Sequence, residues 1–335
     1  MLEGEKLDSL IFALNAVTPI ILVISVGYLL KKIGLITGDY AKKTNKLVFR
    51  CFLPIMLFMN LYKTTGINEL RWDYIIFAVV VLLIIFAIAF PLTMLATKQN
   101  GRRGALLQAC FRSNYALLGI PLAESLYGEQ GVAVATLLGA AVIPALNILA
   151  VISLSVFRED GKRPTVKDIL KGIINNPLIQ SIAAGLIALL IRALLEKYDI
   201  SFRISDIKPV YTLLEYLARL ATPLALLMLG AQFEFSAVKE LKNEIILGTI
   251  MRTVIVPIIG IGGAYLFFKN VFTGAHFAAL IAVFATPVSV SSVPMAQEMN
   301  GDTTLAGQLV IWSTLASAVS IFIIAFLLLY IGVFA

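Results

Sequence analysis

Residues 73 to 97 read DYIIFAVVVLLIIFAIAFPLTMLAT, twenty-five residues with a single charge at Asp73. A helix of this sequence has no polar face to turn toward water, so it must be covered all round. A bilayer provides that cover, and a membrane-spanning helix needs about 20 apolar residues. Similar runs recur to the end of the chain, ALIAVFATPVSV at 279–290 among them. The chain is 59% hydrophobic and 14% charged, whereas soluble domains carry about 25% charged residues. Too few polar residues remain to coat a water-facing surface.

The reading is an all-α polytopic membrane protein with ten transmembrane helices, at 9–30, 46–62, 73–97, 104–127, 131–157, 177–196, 210–233, 245–268, 275–299 and 304–334. The N-terminus MLEGEKLDSL is polar and acidic, and the first apolar run is too long for a cleaved signal. The first span is therefore expected to anchor itself.

Basic residues orient the spans, because cytoplasmic loops retain Lys and Arg. They concentrate in the odd loops: Lys31, Lys32, Lys42, Lys43 and Lys46; Lys98, Arg102 and Arg103; Arg158, Lys162, Arg163, Lys167 and Lys171; Lys239 and Lys242. The even loops are poorer, although the sixth, with Lys197, Arg203 and Lys208, equals the third. This predicts odd loops in the cytoplasm and both termini outside, in a multi-pass protein of the plasma membrane. The net charge of +7 comes from these short loops, with no basic patch for nucleic acid. Cys51 and Cys110 show no spacing for zinc or a disulfide framework. One histidine and no H-E-x-x-H leave no basis for an intramembrane metalloenzyme.

The halves resemble each other. TPIILVISVG (18–27) matches NPLIQSIAAG (176–185), RCFLPIMLFM (50–59) matches RLATPLALLM (219–228), and PLAESLYGE (121–129) matches PMAQEMNGD (294–302). Residues 1–157 and 177–335 are read as two five-helix repeats joined by a cytoplasmic linker, 158–176. Five is odd, so the second repeat enters from the opposite face. Such inverted repeats build many secondary transporters, whose sites lie at the midplane among discontinuous helices.

Helices 4 and 9 carry the signals of breakage. FRSNYALLGIPLAESLYGEQG (111–131) places Arg112, Ser113 and Asn114 about 12–15 Å into the span. Gly119 permits an unwound backbone and Pro121 removes a donor. In TPVSVSSVP (286–294), Pro287 and Pro294 bracket Ser289, Ser291 and Ser292. Repeat alignment sets Asn114 opposite Pro287 and Pro121 opposite Pro294. Broken backbone at depth must face protein or a water-filled cavity, so these segments are expected to cross there. The serines could bond back to carbonyls one turn earlier. Arg112, costing about 2.5–3.5 kcal/mol at the membrane centre on the gentlest scale, either pairs with a carboxylate or freed carbonyls or attracts an anion.

The motifs SNYALLGIPLAESLYG (113–128), TPLALLMLGAQF (222–233) and ATPVSVSSVPMAQEMNGD (285–302) resemble the auxin efflux carrier family. Its members include plant auxin exporters and bacterial permeases assigned to dicarboxylates such as malate and malonate. The resemblance implies two inverted five-helix repeats, helices 4 and 9 broken at prolines and crossing at the midplane, and a scaffold with a moving transport unit. It also implies carboxylate binding at Asn114, the asparagine before Gly119, Ile120, Pro121 and Leu122. The second crossover is richer in serine than in plant members, and their long loop between spans five and six is missing. Both departures count against auxin.

The expected function is alternating-access transport of small organic anions, either malate-like dicarboxylates or auxin-like monocarboxylates. Arg112, Ser113, Asn114, Gly119, Pro121, Pro287, Ser289, Ser291 and Ser292 form the expected site. No cofactor is expected. The coupling ion stays open between sodium, a proton and none. The partners are the anion and the bilayer, with a homodimer conceivable. The competing reading is a membrane ligand sensor without flux.

Overall fold

The computed structural model describes residues 18–64, 71–157 and 165–334. The start of the first expected span, the N-terminal segment and much of the linker lie outside these residues.

The described chain is helical, with one isolated β-bridge, Ser113 to Val288. The helices are α1 (18–32), α2 (Gly38–Leu47), α3 (Leu53–Tyr62), α4 (Trp72–Ala96), α5 (Asn100–Phe111), α6 (Ile120–Val156), α7 (Val166–Ile174), α8 (Pro177–Lys197), α9 (Lys208–Gln232), α10 (Ala237–Glu240), α11 (Lys242–Ile250), α12 (Gly263–Phe268), α13 (Gly274–Phe284), α14 (Ser292–Glu298) and α15 (Thr303–Tyr330). Among the described residues, six continuous helical stretches are long and apolar enough to cross a membrane.

Tyr115–Val156 spans 42 residues, about 63 Å of helix against a hydrocarbon core of about 30 Å. It does not run straight. Tyr127 and Gly128 leave helical geometry, Gly128 with φ +57° and ψ −150°. The chain folds back so tightly that a Cβ on Gly131 would come within 2.2 Å of the Ala123 carbonyl oxygen. The sequence boundary between spans four and five falls at this turn.

The second expected span starts earlier than its apolar run. Helix begins at Gly38, where Thr37 Oγ1 accepts the Tyr40 N–H, and continues through α2 and a π-turn, Val48–Phe52, into α3. Two further π-turns, Tyr115–Gly119 and Met251–Ile255, share one context with it. Each begins six residues before a proline: Pro54, Pro121 and Pro257. Proline clashes with the carbonyl four residues back, and one extra residue in the turn relieves the clash without ending the helix.

The helices sort into two groups by packing. In the first, α3 packs on α8 and α9, and α2 packs on α9. There α1 and α9 cross with almost no separation: a Cβ on Gly230 would lie 1.9 Å from Ile24 O, and one on Gly27 would lie 2.1 Å from Leu227 O. In the second, α6 packs on α13 and α5, α4 on α5, and α15 on α5, α11 and α14. The groups meet mainly where α14 touches α2 and where α6 touches α7 and α8.

Turns gather at the two ends of α4. At its start, Tyr74 donates to His276 O at 2.7 Å and Arg71 to Val271 O at 3.4 Å. At its end, Arg103 donates to Thr97 O at 2.7 Å. Nearby, Asp302 N–H donates to Gly101 O at 3.1 Å, and Arg102 bridges Glu240, Glu244 and Asp302. This second end, with Lys98, Arg102, Arg103, Lys239 and Lys242, is the basic face.

Candidate functional site at the crossing of two broken helices

Helix α5 stops at Phe111 and α13 at Phe284. The segments that follow run antiparallel past each other. Asn114 N–H donates to Pro287 O at 2.9 Å, and Ser289 N–H donates to Arg112 O at 3.1 Å. Val288 N–H finds Ser313 Oγ of α15 at 3.0 Å. Backbone that leaves a helix at membrane depth must be paired by protein, and here the two breaks pair each other. The expected adjacency of Asn114 and the Pro287 backbone is present.

The breaks fall elsewhere than the prolines suggest in helix 4. The backbone leaves the helix at Arg112–Asn114 and helix resumes at Tyr115, so Pro121 lies inside a continuing helix, just after the π-turn that accommodates it. Gly119 lies in the π-turn and serves close packing: a Cβ there would meet Ala282 O at 2.9 Å. In helix 9, Pro287 is within the break, and Pro294 lies inside α14. Helix 4 therefore departs from the resemblance, which implied a break at proline.

Ending a helix leaves carbonyls without partners. Arg252, fully buried on the π-turn Met251–Ile255, collects them from both breaks. Its Nε donates to Thr286 O at 2.7 Å, Nη1 to Phe111 O at 3.0 Å and Nη2 to Val283 O at 2.6 Å. A planar fork of five donors suits this task, and its charge faces the negative ends of two helices.

Arg112 has a different environment. It is 3% exposed. Its Nη2 donates to Asn147 Oδ1 and Ser291 Oγ, both at 2.9 Å. Its Nη1 contacts Gln108 Oε1 at 3.3 Å and Met295 Sδ at 2.7 Å. Asn147 is oriented by its own bond to Ile143 O at 2.8 Å. Every partner is neutral. Among the described residues, no carboxylate forms an ion pair with Arg112. Neither alternative for a structural pairing, carboxylate or freed carbonyl, describes this contact set.

Arg112 borders a cavity of about 130 Å³. Ser113, Asn114, Ser289 and Ser291 line it from the breaks, Asn147 from α6, Asn60 from α3 and Thr222 from α9. Both helix groups thus contribute walls. The Asn114 amide makes no side-chain hydrogen bond among the described residues, and Ser113 Oγ is buried without a partner. Ser289 and Ser291 hydroxyls pair at 2.8 Å. Gly119, Pro121, Pro287 and Ser292 do not line the cavity. Ser292 is buried in α14, and its carbonyl accepts from Gln108 Nε2 at 3.3 Å.

Sequence reasoning missed Gln108, Asn147 and Arg252. Asn147 and Arg252 are isolated polar residues inside apolar spans, and that isolation was the available signal. Arg50 and Arg219 are exposed, and Arg50 pairs with Glu298 at 3.2 Å. Glu215 takes Lys63 at 2.7 Å and holds Arg219 only at 3.9 Å.

A cavity between two helix groups, lined partly by polar side chains and built on breaks that pair each other, is the kind of site membrane transporters carry. Residues 12–325 match the family model described as membrane transport protein, and the chain belongs to that family, the one its motifs resemble. An uncharacterized transporter of Methanothermobacter thermautotrophicus is 22% identical over 313 residues, covering 92% of this chain and 95% of that protein. An uncharacterized transporter of Methanocaldococcus jannaschii is 23% identical over 248 residues, covering 73% and 76%. The protein is a transporter and not an enzyme.

Proposed function

We propose that the protein is a secondary transporter of small organic anions in the plasma membrane. Its ten crossings form two inverted five-helix repeats, with the basic face in the cytoplasm and both termini outside. Alternating access arises as the group built on α4–α6 and α11–α15 moves against the group built on α1–α3, α8 and α9.

One observation carries the substrate class: Arg112 is a buried cation whose contacts are all neutral, at the wall of a cavity that no carboxylate lines. A buried charge is costly unless paired. An anion in the cavity supplies the pair, and the free Asn114 amide and Ser113 hydroxyl supply hydrogen bonds to it. A cavity of about 150 Å³ holds benzene, so about 130 Å³ suits an acid of a few carbons better than an indole acid.

Uptake into proteoliposomes of labelled acetate, lactate, malonate and malate, with and without sodium and proton gradients, tests this reading. Saturable uptake of at least one acid, lost in Arg112→Ala, is expected. Uptake of none, or uptake unaffected by Arg112→Ala, contradicts it.

A further inference from the structure

A second cavity, of about 480 Å³, opens toward the basic face. Phe49, Arg50, Ser155, Asn176, Pro177 and Glu298 are among its walls. Three segments line both cavities. Arg50 faces the second and Leu53 the first, one turn apart; Pro177 and Leu178 are consecutive; Ser155 and Asn147 lie two turns apart on α6. The cavities are therefore stacked along the junction of the two helix groups. Between them, Phe49, Leu53 and Leu178 are buried, Leu178 completely.

Polar contacts at this end tie the groups together, and they converge on the last turn of α14. Gln297 Nε2 donates to Lys42 O at 2.9 Å. Its Oε1 accepts from Asn45 Nδ2 at 3.3 Å and from Gln232 Nε2 at 3.5 Å. Asn45 Nδ2 also reaches Gln232 Oε1 at 2.9 Å, while Arg50 Nε meets Glu298 Oε2 at 3.2 Å. A permanent junction satisfies its buried polar atoms. This one leaves Asn45 Oδ1 buried and unpaired, as suits a contact made to be broken.

We propose that the second cavity is the basic-face vestibule of the transport path, and that Gln297 and Glu298 latch it shut against Asn45, Lys42, Gln232 and Arg50. Leu53 and Leu178 form the apolar seal beneath the latch. In this conformation the central cavity is closed toward the basic face. Opening requires α14 to leave α2 and α9, which moves Ser289 and Ser291 on the same segment and so couples the gate to the site. The proposal rests on the central cavity being the transport site, and its test needs no substrate.

Ser289→Cys, in a background of Cys51→Ala and Cys110→Ala, provides a reporter in the central cavity. The probe is a membrane-impermeant methanethiosulfonate applied from one face at a time. Combining Gln297→Ala with Glu298→Gln removes one exposed ion pair and the amide contacts, worth about three- to tenfold in the gate equilibrium. Modification from the basic face should accelerate by that factor, with no acceleration from the opposite face. Leu178→Ala should also accelerate it from the basic face. Lys63→Ala, which breaks an ion pair within the first group, should leave the rate at the parent value. No acceleration from the basic face, or equal acceleration from both faces as in a loosened protein, overturns the proposal.

Discussion

Asn114 and Pro287, from opposite halves of the chain, are joined by a backbone hydrogen bond of 2.9 Å. Its reciprocal, from Ser289 N–H to Arg112 O at 3.1 Å, makes the two helix breaks a single structural unit. The site depends on this unit, since six of its lining residues, Arg112, Ser113, Asn114, Ser289, Val290 and Ser291, sit on these two segments.

Arg252 is expected to hold the unit together. Arg252→Met strands the carbonyls of Phe111, Val283 and Thr286, all on fully buried residues. An unsatisfied buried acceptor costs about 1–3 kcal/mol, so thermal unfolding in detergent should show a loss of at least about 3 kcal/mol. Arg252→Lys should recover only part of it, because an ammonium cannot span three carbonyls as a planar fork does. Wild-type melting in Arg252→Met would remove this role.

The Gly27–Gly230 crossing should tolerate no side chain. Gly230→Ala places a Cβ on Ile24 O, and Gly27→Ala places one on Leu227 O. Backbone must move in either case, at a cost of about 1–3 kcal/mol or more. The two changes act on one crossing, so the double variant should lose less stability than the sum of the singles. Additive losses would show that the crossing does not act as one contact.

Gly128 should resist substitution for a different reason. Nothing crowds its Cα, yet φ +57° with ψ −150° belongs to a region that side chains avoid. Gly128→Ala should cost about 1–3 kcal/mol in thermal unfolding. An unchanged melting temperature would mean that the hairpin between the fourth and fifth helices relaxes freely.

The sequence made the membrane class, the turn between the fourth and fifth expected spans and the crossing partners legible because each leaves a local or repeated mark. Apolar runs show spans, and the match of PLAESLYGE with PMAQEMNGD aligned Asn114 with Pro287. The position of the fourth-helix break was not legible. Proline marks both a break and a π-turn within a continuing helix, and only tertiary pairing at Ser113 and Val288 selects Arg112–Asn114. The partners of Arg112 were hidden for a similar reason. Asn147 and Met295 come from other helices, at spacings no periodicity reports.

Orientation can be read directly in cells. The Lys and Arg bias predicts that Lys269→Cys, in a cysteine-free background, reacts with an impermeant maleimide added outside, and that Lys239→Cys does not. The reverse pattern would invert the protein in the membrane.

Arg112 carries the central claim, and anion-dependent thermal stability tests it most directly. Ligand that binds only the native state raises stability by RT ln(1 + L/Kd), with L the free ligand concentration. Because the Arg112 partners are neutral, Arg112→Ala strands no opposite charge and should stay folded near the wild-type melting temperature. Asn114→Ala should weaken anion binding about ten- to a hundredfold, as expected for one hydrogen bond to a charged group. Asn147→Asp would neutralise the cation from within and should abolish the response. The measurement is the melting temperature of wild type and Arg112→Ala in saturating malonate and malate against chloride. The account predicts stabilisation by at least one acid in wild type and none in Arg112→Ala; equal stabilisation of both proteins would contradict it.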